Sequence, residues 1–230
     1  VEQRIISSSV ENKDMYFLST QTEGYLMLKF FALGGPVMIP LLFCSIFALA
    51  IGLERLWYLM RSRVDTDELM EDIKLSLGQG KVLEAMQIAK KSRGPVAAVL
   101  AAGIAHYDQS PEEIKENMDV VGRDEIYKME KRMVALELIV SIAPLLGILG
   151  TVTGIIQSFN VIAALEGIGQ AQELSAGIAE ALITTAAGLS IAIPTMALNA
   201  FLNSIIDKNV ADMSKKSAEL LTVLETRSEY

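Results

Sequence analysis

Three long apolar runs, separated by polar stretches of very unequal length, dominate the hydropathy pattern of this 230-residue chain. The first extends from Phe30 or Ala32 to Leu53 and closes on LERLWYLMRSR; the second, Leu138 to Leu165, contains no charged residue. The third opens near Leu174 and continues to Ile206, with Glu180 as its only charge. Each is long enough to cross about 30 Å of hydrocarbon at about 1.5 Å of rise per helical residue. Pro36, Pro40, Pro144 and Pro194 fall inside these runs or near their ends. Membrane helices tolerate proline where neighbours satisfy the freed carbonyls.

The polar stretch between the first two runs carries helical periodicity. DTDELMEDIKLSL places acidic residues in a first turn, with Leu69, Ile73 and Leu77 on one face. GQG at 78–80 interrupts it, KVLEAMQIAKK resumes, and a new start is expected at Pro95. Ser110, Pro111 and Glu113 form a capping-box signature for a further helix. Its pattern, through RDEIYKMEKRMVALEL, predicts an unbroken passage into the second span. The expected fold is therefore all-α: three transmembrane helices with long extensions into a cytoplasmic helical domain. The segments are an N-terminal extracytoplasmic arm (1–29), a first span (30–60), the cytoplasmic domain (61–133) and a second span (134–165). A short outer loop (166–173), a third span (174–206) and a C-terminal cytoplasmic helix (207–230) complete the chain.

Charge orients these segments. Arg55, Arg61 and Arg63 follow span one; Lys128, Lys131 and Arg132 precede span two; Lys208, Lys215 and Lys216 follow span three. The connection EGIGQAQE has no basic residue. The positive-inside rule then predicts a cytoplasmic middle segment and C-terminus, with the N-terminus outside.

Composition narrows the function. The chain is 51% hydrophobic with a mean hydropathy of +0.38, yet 21% charged, as expected of a membrane protein with a substantial aqueous part. A net charge of −8 argues against nucleic-acid binding. Cys44 and His106 are each the sole residue of their type, which removes intrachain disulfides, cysteine-based zinc sites and histidine-dependent triads. GxSxG, HExxH, paired membrane aspartates and a phosphate-binding loop are all missing, so neither enzymatic catalysis, a metal nor another cofactor is expected.

Candidate chemistry lies in the second and third spans. At 100° per residue, Gly177, Ala181, Thr185, Gly188, Ala192, Thr195 and Asn199 share one small, polar stripe, flanked by Glu180 and Thr184. Span two has the corresponding series Gly147, Thr151, Gly154 and Ser158, with Gly150 and Gly154 forming a GxxxG pattern. Counting rise from the outer ends puts Thr151 at about 20 Å depth and Thr185 at about 16 Å, so the two can meet near mid-membrane. Glu180 falls at about 9 Å. Two readings stand for each feature. Threonines bond to helix carbonyls or line an ion path; small residues pack helices or form a pore wall. Glu180 is a functional carboxylate or a structural partner at the outer interface.

APLLGILGTVTGIIQSF (143–159) and GIAEALITTAAGLSIAIP (177–194) resemble the signature blocks of the ExbB/TolQ/MotA proton-channel family. GGPVMIPLLFCSIFALAIGLERLWYL (34–59) is similar to the first helix of its ExbB branch. The resemblance implies a homopentamer whose pore lies between the second and third helices. Inside it would stand a pair of ExbD/TolR-like single-span subunits, each bearing a membrane aspartate. Thr151 and Thr185 match the family's pore threonines, and Glu180 matches its motif glutamate. Thr184 is an additional hydroxyl that leaves the coupling ion, proton or sodium, open. Gly147, Gly150, Gly154, Gly177, Ala181, Gly188 and Ala192 are the expected pore or partner-packing positions. The implied function is that of a pore-forming subunit of an ion-driven bacterial inner-membrane motor. It would energise an envelope process such as TonB-dependent transport, with a TonB-like transducer among its partners. The alternatives are a Tol-type or motility stator and a non-conducting scaffold. Independently of any family, no carboxylate lies at mid-membrane, so a proton carrier must come from another chain.

Overall fold

The computed structural model describes residues 34–62, 64–164 and 170–228. The expected N-terminal arm, the opening of span one before Gly34 and residues 165–169 of the outer loop lie outside the described residues. Seven helices occur among the described residues, and no strand. They are α1 (Met38–Arg61), α2 (Thr66–Gly78), α3 (Val82–Lys91), α4 (Pro95–Ala105), α5 (Pro111–Glu130), α6 (Met133–Ala164) and α7 (Gln170–Ser228). Stretches within α1, α6 and α7 are long and apolar enough to cross a membrane. The chain divides into two compact units.

The first unit contains the described residues up to Phe47 together with Ile139–Pro194. Met38, Leu41, Ala143 and Ala192 form its buried centre, with Val37, Leu146, Ala187 and Ile191 packed around them. Around this narrow centre Ile39, Phe43, Phe47, Leu145, Leu182 and Ile193 are each more than half exposed. Such a surface is costly in water, but in hydrocarbon it needs no covering. The unit is part of a multi-pass membrane protein. Both α6 and α7 run on through their prolines, Pro144 and Pro194.

The second unit comprises Ala48–Leu138 and Thr195–Tyr230. Its elements start and stop at the signals in the sequence. The Asp65 carboxylate accepts from the amides of Asp67 (3.0 Å) and Glu68 (3.2 Å) at the head of α2. At the end of α2, Gly80 takes φ +79°; its amide donates to the Leu77 carbonyl and that of Lys81 to the Ser76 carbonyl. That Schellman closure explains why GQG interrupts the helical pattern. The capping box forms as expected: the Glu113 amide donates to Ser110 Oγ at 3.3 Å, and the Ser110 amide donates to Glu113 Oε2 at 3.1 Å. Buried Met70, Ile73, Leu77, Leu100, Ile104 and Leu220 supply the core.

Two element boundaries differ from expectation. The helix predicted to enter span two unbroken is interrupted at Lys131–Arg132, where Arg132 adopts φ +73°. Left-handed backbone disfavours a residue with a Cβ, so tertiary contacts must hold it. Buried Arg55 donates to the Lys128 carbonyl at 3.1 Å, satisfying a free end of α5. Glu54 pairs with Arg55 (2.6 Å) and with Arg132 (3.2 Å), linking α1 to the interruption. The second difference is in α7, a single 59-residue helix beginning at Gln170, inside the expected outer loop, and passing Ile206 without a break. Hydropathy marks where a helix leaves the membrane, and QAQE and DKNVADM are compatible with helix on either side of that point.

Candidate functional site

Within the first unit, the small residues of α6 and α7 lie against each other. A methyl group on Gly154 would come within 3.2 Å of the Gly177 carbonyl and 3.3 Å of the Ala181 side chain. One on Gly147 would reach the Thr185 backbone at 3.0 Å; one on Gly188 would come within 2.5 Å of the Ala143 carbonyl. Gly177 faces the Ser158 side chain, whose hydroxyl donates to the Gly154 carbonyl at 2.8 Å. Ala181 and Ala192 are buried. All seven positions expected to line a pore or hold a partner thus lie on the helix face used for packing within one chain, or beside it. Gly150 belongs to the same seam, because a Cβ there would run into the Thr184 side chain.

This close approach brings the hydroxyls together. Thr151 Oγ1 is in hydrogen-bond contact with Thr185 Oγ1, and both side chains are half-buried. Thr151 also reaches the carbonyls of Ala181 (3.1 Å) and Gly147 (3.2 Å), while Thr185 donates to the Gly147 carbonyl at 3.1 Å. A chain of acceptors results: Ala181 carbonyl, Thr151, Thr185, Gly147 carbonyl. Each hydroxyl has one proton, so two protons serve four contacts, three of them along this chain. The pair can point its donors toward Ala181 or toward Gly147. It reverses by rotating two hydroxyls without moving a heavy atom.

Thr184 behaves differently. It is 1% exposed, donates to the Ala181 carbonyl at 2.8 Å and fills the space opposite Gly150. Its hydroxyl is turned to its own helix, the behaviour usual for membrane threonines. Glu180 is half-buried and its carboxylate lies over Gly35, which has φ +64°. The structure therefore brings Thr151 and Thr185 together, seats Thr184 in the packing between the helices, and sets Glu180 apart beside the turn into α1. Helical-wheel reasoning placed Thr184 on the flank of the stripe. Only the position of Gly150 on the neighbouring helix shows that it is covered. Among the described residues no three His, Cys, Asp or Glu side chains converge as a metal site.

Residues 91–215 match the family described as the MotA/TolQ/ExbB proton channel family. The chain is 38% identical over 170 residues to the biopolymer transport protein ExbB-like 1 of Synechocystis sp. That alignment covers 73% of this chain and 66% of the relative. It is 29% identical over 185 residues to an ExbB homolog of Methanothermobacter thermautotrophicus, across 80% of this chain and 65% of that protein. In both cases the chain spans slightly less than two thirds of the relative's length. A shorter segment of 81 residues is 43% identical to the Tol-Pal system protein TolQ of Haemophilus influenzae, covering 34% of each chain.

Proposed function

The chain belongs to the MotA/TolQ/ExbB proton channel family, and from that premise we propose that it is the pore-forming subunit of an ion-driven inner-membrane motor. The observation that carries the reading is the reversible hydroxyl pair Thr151–Thr185. Hydroxyls that both donate and accept can solvate a proton or ion in passage, but they neither take up an extra proton nor release their own at physiological pH. In this reading a titratable membrane aspartate arrives on an ExbD/TolR-like single-span subunit enclosed by five copies of this chain. Thr151 and Thr185 line the path, and Glu180 guides the ion at its outer end. Thr184 and the glycines keep the two helices close enough for the hydroxyls to meet. Proton flow inward then drives the enclosed subunit, which passes work to a TonB-like transducer and so to outer-membrane transport. The N-terminus is extracytoplasmic and the C-terminus cytoplasmic. Cysteines introduced near residue 168 should label from outside intact cells, and one introduced at Glu112 should not.

The decisive experiment reconstitutes the purified protein in liposomes with and without its co-expressed single-span partner, under an imposed pH gradient. Flux that needs both the partner and Thr185 supports the mechanism. Robust Thr185-dependent flux from this chain alone would sink it. A Tol-type role is the second reading, favoured by the 43% identity to TolQ. Complementation of Ton-deficient against Tol-deficient cells separates the two.

A further inference from the structure

A cavity of about 280 Å³ opens in the second unit, outside everything the ion path uses. Its walls come from three places in the chain: the passage from the end of α1 to the head of α2 (Ser62, Thr66), the entry to α4 (Arg93) and one face of α7 (Phe201, Ser204, Lys208). Arg93 and Lys208 are exposed, and neither forms an ion pair among the described residues. One carboxylate, Asp212, also borders the cavity, and the balance of charge on its walls remains positive. Gly94, at φ +103°, supplies no side-chain cap to α4, whose first free amides belong to Val96 and Ala97 on the same wall.

Its place in the sequence bears on what it holds. Ser62 lies just beyond the end of the first apolar run, and Ser204 and Lys208 straddle the end of the third. Phe201, 52% exposed, forms the wall on the side of the third span, as Trp57, 63% exposed, marks the end of the first. Aromatic side chains at such positions sit at headgroup level. A pocket at that level, cationic and hydroxyl-bearing on one side and apolar on the other, matches an amphiphilic anion more closely than a soluble one. Its volume is at the small end for ligand sites. It therefore suits a headgroup whose acyl chains remain outside in the bilayer.

We propose that this cavity binds the phosphate of an anionic phospholipid. Arg93 and Lys208 contact the phosphate oxygens, Ser62, Thr66 and Ser204 offer hydroxyls to the headgroup, and Phe201 lies along the first methylenes. The bound lipid would join α1, α4 and α7 at the membrane surface.

The test uses the full chain purified in neutral detergent, offered phosphatidylglycerol and phosphatidylcholine in equal amounts, with retained lipid counted by native mass spectrometry. Two basic groups near the surface imply roughly thirtyfold preference for phosphatidylglycerol. That preference should vanish in Arg93→Ala/Lys208→Ala and survive in Arg93→Lys/Lys208→Arg. Lys115→Ala/Arg123→Ala removes the same charge from a different groove and should leave it intact. Equal retention of the two lipids by the wild type would overturn the proposal. So would equal loss of preference in the Lys115/Arg123 variant, which would mean general electrostatics rather than a site. Displacement of the lipid by millimolar inorganic phosphate would assign the cavity to a soluble anion instead.

Discussion

Thr151 and Thr185, on different helices and 34 residues apart, hold their hydroxyls in contact while both also address the Gly147 carbonyl. Because that carbonyl belongs to a continuous helix, removing either hydroxyl leaves no orphaned backbone group. Valine preserves the shape of threonine, and interhelical hydrogen bonds in membranes contribute about 0.6 kcal/mol on average. Thr151→Val and Thr185→Val should therefore assemble normally, with stability changed by under about 1 kcal/mol, yet lose ion-coupled work. Thr184→Val should be milder. Size-exclusion profiles set beside an in vivo transport assay check this. Failure to assemble would favour packing as the role of the hydroxyls, and full activity would remove them from the path.

Gly150 and Thr184 form a packed pair that can be tested by a double-mutant cycle. A Cβ at residue 150 would lie 2.6 Å from Thr184 Cβ, so rotating the threonine cannot relieve the clash. Gly150→Ala should cost about 1–3 kcal/mol, as overpacking does elsewhere. Adding Thr184→Gly, which removes the Cβ that alanine would keep, should recover most of that loss. Thermal melts of the four proteins in one detergent measure the coupling. A coupling near zero would mean the helices separate at little cost.

Glu180 rests against a glycine whose φ is +64°, so alanine at Gly35 is opposed both by its backbone and by the carboxylate. Gly35→Ala should displace Glu180 and reproduce the defect of Glu180→Ala. Glu180→Gln distinguishes the reason. Activity near wild type means that hydrogen bonding suffices, whereas a defect equal to that of alanine means that charge is needed. Normal transport in Gly35→Ala and both Glu180 variants would return the residue to a structural role.

In the second unit, Lys74, Glu219, Lys216 and Asp67 form a chain of ion pairs. Lys216 lies 2.6 Å from Asp67 and 3.0 Å from Glu219, which also pairs with Lys74. Hydrogen bonding to Lys216 lowers the Asp67 pKa, and bonding to Lys74 and then Lys216 lowers that of Glu219. For Lys216, burial pulls downward, but its bonds to Asp67 and Glu219 outweigh it and the net shift is upward. The carboxylates' contribution is thus complete above the ordinary carboxylate range, about pH 4, and is lost as pH falls through their depressed values. The lysine's contribution is complete below about pH 10 and is lost at still higher pH. Glu219→Gln should lower the melting temperature by a constant amount between about pH 5 and 9, and that difference should shrink below about pH 4. Circular-dichroism melts across that range provide the check. A difference that persists unchanged at pH 3 would rule out the ionic origin.

Local signals made much of this architecture legible in the sequence alone. The capping box at Ser110 and Glu113, the glycine closure after α2 and the three spans depend on neighbours within a few residues or on bulk hydropathy, and sequence carries both directly. The convergence of Thr151 and Thr185 was also legible, because antiparallel helices of known rise must bring equal depths together. Tertiary structure alone decided the interruption at Lys131–Arg132, since YKMEKRMV favours helix and the residues holding it open, Glu54 and Arg55, come from a segment some 75 residues earlier. It likewise buried Thr184 and set the small residues of α6 and α7 against each other. A helical wheel tells which residues share a face; it cannot tell which neighbouring helix will cover that face.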